Sequence, residues 1–566
     1  MKFDELLTDR VGEFGRYQQL MFVLVCMPTL WGAAYLYMWT FTGANLPFRC
    51  RLSANDTYHF NWSSVVHTGA HYRTPSDPKG ARCYREKLNE QGLLVGMQTC
   101  LQGDGYVWDN SEITSTAVQD WELVCDREWL KALCQSLFYV GYLIGAVVLG
   151  YAANKFGRKP VLVYGSALLT IVTIASIWCP NVYSFMAVRF VQGFLEPSSW
   201  QVPFCIVVEM VGPGKRTLTG IAIELFFSAG MIVLGTMAYF IRDHHVLQLT
   251  IALPALSLLT YHWIMPESPR WLLSAGRRDS ALDIIRTMAK RNNAALGDEV
   301  LETLADIESE KPARRQKTTF DDDSDNEFND SNPSSETVTC LDLIRTPNMC
   351  RKTLICCFTW PTATLIYYGI SLNPSAVGGG FYSSFIMSSL VEVPAIVLLL
   401  FALDILGRRL LLVSGFLFSG LPLIAIAVFS NAPLWFVVTS VNVAKLAVTV
   451  AFCVLYLHTT ELFPTVIRSM ALGLTVSVAR IGGILSPFAS MYLNGEEHRR
   501  TTLILFGTMA VTAALLTIML PETAYRTLPE TLKDGEAFGK KFRMFEKVRI
   551  PQHPVVEHCE LKRVAA

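Results

Sequence analysis

Apolar residues along this chain gather into runs of about twenty, the length that crosses ~30 Å of hydrocarbon as a helix. Twelve runs are read, over 18–41, 131–152, 160–179, 183–208, 217–240, 247–265, 352–372, 380–403, 409–430, 433–458, 469–493 and 501–520. Two long polar stretches interrupt them, 42–129 after the first run and 266–350 after the sixth. The expected order is a leading segment (1–17), a six-helix bundle (18–265), a linker (266–350), a second six-helix bundle (351–520) and a tail (521–566). The fold class expected is an all-α membrane protein with twelve transmembrane helices. Residues 1–16 are polar, and Leu20 to Phe41 is too long for the apolar core of a cleaved signal, so the first run is expected to stay as a helix.

Lys and Arg in the short connections assign the sides. The segments 154–159 and 212–216, Gly407-Arg408-Arg409 and Arg468 fall on one side. The opposite connections, 179–181, 374–379 and 431–433, carry no basic residue, whereas Arg242 and the stretch 494–500 go against the bias. The basic side is expected to be cytosolic, with both termini there and 42–129 outside, in the plasma membrane. The outer segment agrees independently. It carries glycosylation sequons at Asn55 and Asn61 and four cysteines, Cys50, Cys83, Cys100 and Cys125. An even count in an oxidising compartment predicts a small domain with two disulfides, in any of three pairings.

Composition narrows the class further. Hydrophobic residues make up 51% and charged residues 17%, against about 25% charged in soluble domains. Acidic and basic residues balance at 48 each, which leaves no electrostatic case for a nucleic-acid partner. In the linker, Leu273, Ala281, Ile284, Ile285 and Met288 recur near helical spacing and predict an amphipathic helix. The acidic run 321–330 has too few apolar groups to fold and reads as a disordered stretch open to phosphorylation. No HExxH, Gly-x-Ser-x-Gly, phosphate-cradling loop or metal-spaced His/Cys set is present, so neither an enzyme nor a metal or cofactor is expected.

The halves repeat weakly. Residues 150–159 match 402–409, 209–216 match 461–468, and Pro266 to Trp271 match Pro521 to Arg526, each pair after the second, fourth or sixth run of its half. Such repetition argues for two pseudo-symmetric bundles. These loops, with Gly12 to Gln18, Ser115 to Leu130 and Pro266 to Leu272, resemble the major facilitator superfamily, more narrowly solute carrier family 22, the organic cation, carnitine and organic anion transporters. The resemblance covers nearly the whole chain. One departure is Asn154, where the family usually has Asp; Asp404 keeps the acid in the second half.

Two groups of residues are candidates for mechanism. At the basic-side helix ends stand Arg158 and Lys159, Glu209 with Arg216, Asp404 with Arg408, and Glu461 with Arg468. The resemblance implies that such bridges form when the inner gate is shut and break when it opens. At mid-depth stand Glu224, Glu392, Lys445 and Arg480. A charge at the centre of a membrane helix costs at least ~2.5–3.5 kcal/mol and usually faces a solute pathway. The aromatics Tyr35, Trp200, Trp360 and Tyr367 lie at positions that match the family, and with the acids they resemble its cation cage.

Members that prefer pure cations tend to carry Asp where this chain has Arg480, and carnitine-type and anion-type members carry Arg there. Leu390 to Ala395 resembles the cation and carnitine branch, and Ile396 stands where anion carriers often have Lys. The expected function is alternating-access transport of small organic cations and carnitine-like zwitterions across a lipid bilayer, by a monomer. The alternative is an organic anion exchanger that binds carboxylates with Arg480 and Lys445. Sodium and a proton both stay open as coupling ion.

Overall fold

A computed structural model describes residues 3–51, 72–73, 83–89, 93–100, 105–294, 341–374, 380–429, 432–493, 496–526 and 528–540. Asn55, Asn61 and the acidic run 321–330 lie outside the described residues. The long helices are α1 (Arg16–Thr42), α2 (Glu128–Phe156), α3 (Arg158–Ala175), α4, α5 (Arg216–Phe240) and α6 (His244–Ala255, continued by Tyr261–Ile264). The second half supplies α7 (Pro347–Ser371), α8 (Phe381–Leu406), α9 (Arg408–Val428), α10 (Leu434–Leu462), α11 (Arg468–Tyr492) and α12 (Glu496–Ile518). Eleven of these are long and apolar enough to cross a membrane. The remaining one, α4, runs as Val182–Leu195, a 3-10 turn Glu196–Ser198, then Gln201–Met210. Pro197 explains the break, since it donates no backbone N–H and clashes with the preceding turn.

Large apolar side chains face outward all round, among them Phe401 and Val147. In water such a surface would aggregate; in hydrocarbon it is the solvated face. Trp178, Tyr183 and Trp435 are exposed near one set of helix ends and Trp263 near the other, which is where amphipathic rings settle at a membrane interface. Inside the bundle, small residues let backbones meet. A Cβ on Gly193 of α4 would lie 1.9 Å from the Phe138 carbonyl oxygen of α2, and one on Gly141 would lie 2.1 Å from that of Phe190.

Among the described residues, the segment between α1 and α2 adds five short strands to the helical fold. Phe48–Cys50 pairs antiparallel with Tyr106–Trp108, and Tyr84–Leu88 pairs with both Tyr72–Arg73 and Leu94–Thr99. Of the three pairings the structure holds Cys50–Cys100 and Cys83–Cys125. The second bond fastens the small sheet to the approach to α2. Removing a native disulfide from a small domain costs about 2–5 kcal/mol. Cys83→Ser is therefore expected to make this segment of the purified protein more sensitive to protease than in the wild type; equal cleavage would count against the bond.

On the opposite, basic face lie the leading segment, the linker helices and the described end of the tail. Asp4 pairs with Arg216 at 2.6 Å and with Arg270. The linker forms Pro269–Ser274 and Arg278–Arg291, divided by a turn in which Gly276 takes φ +74°. The second helix buries Ala281, Leu282, Ile285 and Met288. Glu536 caps the start of α7 by accepting the Asn348 and Met349 N–H groups at 3.1 and 3.2 Å.

Candidate functional site

The two halves close against each other on the disulfide side. Tyr37 of α1 meets Phe227, Tyr368 and Phe385, and Phe41 packs on Phe385 and Tyr382. Tyr139 of α2 meets Tyr368 of α7 with ring centroids 4.9 Å apart, and the Ser136 hydroxyl donates to the Ile484 carbonyl at 2.7 Å. Beneath this plug lies a cavity of about 640 Å³ between α2, α4, α5, α10 and α11. Trp200, Glu224, Tyr456 and Arg480 stand at its deep end, and Arg216, Thr460 and Ser469 at the basic face. The conformer is closed on the disulfide side and hollow toward the basic side.

Glu392 lines two smaller voids above, one of them shared with Lys445 and the other with Trp200, Glu224 and Arg480. Its carboxylate is almost wholly buried and fully engaged. Lys445 Nζ lies 2.8 Å from Oε1, the Tyr367 hydroxyl donates to the same oxygen at 2.9 Å, and Ser228 of α5 donates to Oε2 at 3.0 Å. Lys445 also bonds to the Ser371 hydroxyl and sits 3.3 Å from the centroid of the Tyr367 ring. Glu392 thus joins α7, α8 and α10 of one half to α5 of the other.

Arg480 is held differently. Its guanidinium lies 3.8 Å from the centroid of the Tyr142 ring, and its Nε is buried with no hydrogen-bond partner. Among the described residues no carboxylate lies within ion-pair distance of Arg480, nor any basic group within that distance of Glu224. Both line the same cavities.

The aromatic set divides. Trp200 and Tyr367 line the voids; Trp200 stacks on Phe204 and meets Tyr456. Trp360 and Tyr35 line none of these cavities. Trp360 is fully buried behind Tyr456 and donates its indole N–H to Thr459, and the Tyr35 hydroxyl meets Thr170 at 3.1 Å. In this conformer both pack away from these cavities, unlike the cage expected from the resemblance. In their place the structure brings Tyr142, Tyr368 and Tyr456 to the walls, and also Glu196, whose Oε2 is buried and unpartnered. Glu196 and its neighbour Arg189 escaped the sequence reading, although the rule that found the other mid-depth charges applies equally inside 183–208.

The gating candidates pair, but mostly not as expected. Glu209 meets Arg158 at 2.9 Å, and Glu461 meets Arg408 at 3.2 Å. Arg216 turns instead to Asp4, and Arg468 donates to the Phe463 carbonyl at 3.4 Å. Extended backbone after α4 and after α10, at Val211 and Phe463, separates each Glu-x6-Arg pair. Asp404 to Arg408 is a loose contact of 3.7 Å with Asp404 exposed. The bridges lie within each half, and they are formed while the cavity reaches the basic face. This conformer therefore does not show them breaking as the inner side opens.

A second acid per half completes the motif. Glu267 accepts the backbone N–H groups of Arg158 and Lys159 at 3.1 Å, and Glu522 accepts those of Arg408 and Arg409 at 2.9 and 3.1 Å. Each caps the start of a helix from a different loop. Burial lifts the Glu267 carboxyl above its ordinary range, against the pull of the N–H groups of Ser268, Lys159 and Arg158. The turn beneath it needs glycine: Gly157 has φ +112°, and a Cβ there would lie 2.3 Å from Glu267 Oε2. Gly157→Ala is expected to lower the melting temperature in detergent. Gly473→Ala, in a helix with open space around it, is expected to hold or raise it, since Gly in a helix costs about 0.5–1 kcal/mol relative to Ala. Equal shifts for the two would contradict the clamp.

Comparison with known proteins adds to the geometry. Residues 106–533 match the family described as sugar (and other) transporter. The organic cation transporter protein of Drosophila melanogaster is 36% identical, over 96% of this chain and 96% of its own. Solute carrier family 22 member 3 of Rattus norvegicus is 32% identical, over 95% of this chain and 96% of its own. The beta-alanine transporter of Drosophila melanogaster is 30% identical, over 96% and 90%. Among solved structures, the major facilitator superfamily proton:xylose symporter XylE matches with a TM-score of 0.59 over 92% of this chain and 99% of that chain, at 17% identity, a likeness of fold alone.

Proposed function

The chain belongs to the major facilitator superfamily and, within it, to solute carrier family 22, a family of membrane transporters and not of enzymes; from that premise we propose that it carries small organic cations and zwitterions by alternating access. The observation that carries this reading is the cavity itself. Aromatic walls from Trp200, Tyr142, Tyr367 and Tyr456 surround an acid, Glu224, that has no basic partner among the described residues. Ring faces and a carboxylate not already paired with a base are what an ammonium group seeks once it leaves water. Arg480 stands on the same wall and would meet the carboxylate of a zwitterion. The names of the relatives point the same way, one to organic cations and one to a zwitterionic amino acid.

The anion-exchanger alternative loses ground on geometry. It needs Lys445 and Arg480 together, yet Lys445 is neutralised by Glu392. On our reading the basic face is cytosolic, the disulfide segment is extracellular and the chain works as a monomer in the plasma membrane. The Arg158–Glu209 and Arg408–Glu461 bridges keep each half rigid as it rocks. A cation moving inward gains ~2.3 kcal/mol per 100 mV, about 50-fold accumulation with no other ion. In voltage-clamped cells, a labelled quaternary amine is expected to enter with a saturable, potential-dependent rate, and a dicarboxylate is not. Uptake of the dicarboxylate alone would overturn the reading.

A further inference from the structure

Away from the cavity, where the outer segment meets the start of α6, Asp120, His244 and His245 each offer a ligand atom within 4.8 Å of the others. We infer that these three side chains form a zinc(II) site that ties the outer segment to α6.

The hydrogen bonds fix the chemistry of His244. A carboxylate only accepts, so the single hydroxyl proton of Ser115 goes to Asp243 Oδ2, 2.7 Å away. The Ser115 oxygen is then the acceptor for His244 Nδ1 at 3.0 Å, and Nδ1 carries the imidazole proton. The other nitrogen, Nε2, faces Asp120 Oδ2 at 3.1 Å. Two lone pairs cannot face each other there unless a cation lies between them, either a proton or a metal. The second imidazole decides for the metal. The His245 ring lies 3.8 Å from that of His244, centroid to centroid, on the same side of the turn. A proton on Nε2 would be shared with Asp120 only, whereas zinc takes His245 as a third ligand.

Two imidazoles and one carboxylate are a zinc ligand set with a fourth position open to water. Ligand atoms about 2.1 Å from a tetrahedral zinc stand about 3.4 Å apart; His244 Nε2 and Asp120 Oδ2 are 3.1 Å apart, and the His245 ligand atom lies within 4.8 Å of both. The Ser115–Asp243 pair supplies the outer carboxylate that commonly orients a zinc-bound histidine. Both supports are held in place. Asp243 Oδ1 caps α6 through the His245 and Val246 N–H groups at 3.0 Å, and a Thr116–Gln119 capping box fixes the short helix Ala117–Asp120. Because the site joins parts of one half, the bound ion stabilises that half without locking it to the other.

The test uses the full-length protein in detergent with any affinity tag removed. Zinc chloride is expected to raise the melting temperature, and magnesium and calcium chloride are not. Cobalt(II) chloride is expected to give the visible absorption bands of a four-coordinate site. His245→Gln and Asp120→Asn are each expected to raise the zinc Kd by at least about tenfold, with quaternary-amine uptake in chelator unchanged. Failure of zinc and cobalt to bind the wild-type chain would overturn the site, as would unchanged affinity in both variants.

Discussion

Glu392→Gln is expected to abolish uptake and lower the melting temperature, and adding Lys445→Met is expected to restore the melting temperature but not the uptake. Lys445 is almost completely buried and has one carboxylate partner, Glu392. Neutralising Glu392 leaves that ammonium with a hydroxyl and a ring face. Breaking one side of a buried pair costs about 3–5 kcal/mol, whereas replacing both charges with apolar groups is often neutral or stabilising. Stability should therefore follow the pairing, not the presence of charge.

Transport should follow the charge. Glu392 borders two voids, one shared with Lys445 and one with Tyr367, and accepts from Ser228 of the opposite half. A cation first met at Glu224 would next compete with Lys445 for the Glu392 carboxylate, and so loosen a contact between the halves. The uncharged double variant cannot do that. Uptake below a tenth of wild type, with a normal melting curve, is the expected pair of readings. A double variant that transports normally would make Glu392 and Lys445 a structural strut and leave cation recognition to Glu224 alone.

The same comparison shows what can be read from sequence in such a chain. Runs of about twenty apolar residues mark helices because lipid leaves the backbone no other partner. Averaging hides local chemistry, though, and so 183–208 reads as one helix across Pro197, where the structure breaks. Mid-depth charges stand out because inserting them is costly. Their partners do not stand out: Lys445 lies 53 residues from Glu392, and its neutralisation depends on how α8 and α10 face each other. The loop repeats contain Glu209, Glu461, Arg158 and Arg408, which pair in the structure. Spacing along the chain favoured the near arginine in each half, whereas folding brings the far one across from another loop. Glu267 and Glu522 were legible only as markers of symmetry; that they hold the next helix start needs the fold.

Arg480→Gln is expected to separate zwitterions from simple cations. The guanidinium is buried against Tyr142, with no carboxylate within ion-pair distance among the described residues. A ring face returns up to ~2 kcal/mol to a desolvated cation, less than the cost of an unpaired charge in the membrane. The arrangement gains most when an anionic group arrives. A hydrogen bond to a charged group contributes about 1.5–3 kcal/mol, equivalent to about 10- to 150-fold in affinity. Arg480→Gln should therefore cut uptake of labelled beta-alanine or of a carnitine-type probe by at least about tenfold. Uptake of a quaternary amine should hold within about threefold, because its ammonium group is met by Glu224 and the rings. Arg480→Lys keeps the charge but loses the planar fork, and should recover only part of the zwitterion uptake. Equal loss for both substrate classes would assign Arg480 to packing among its tyrosines, and a larger loss for the quaternary amine would reverse the proposed orientation of the substrate in the cavity.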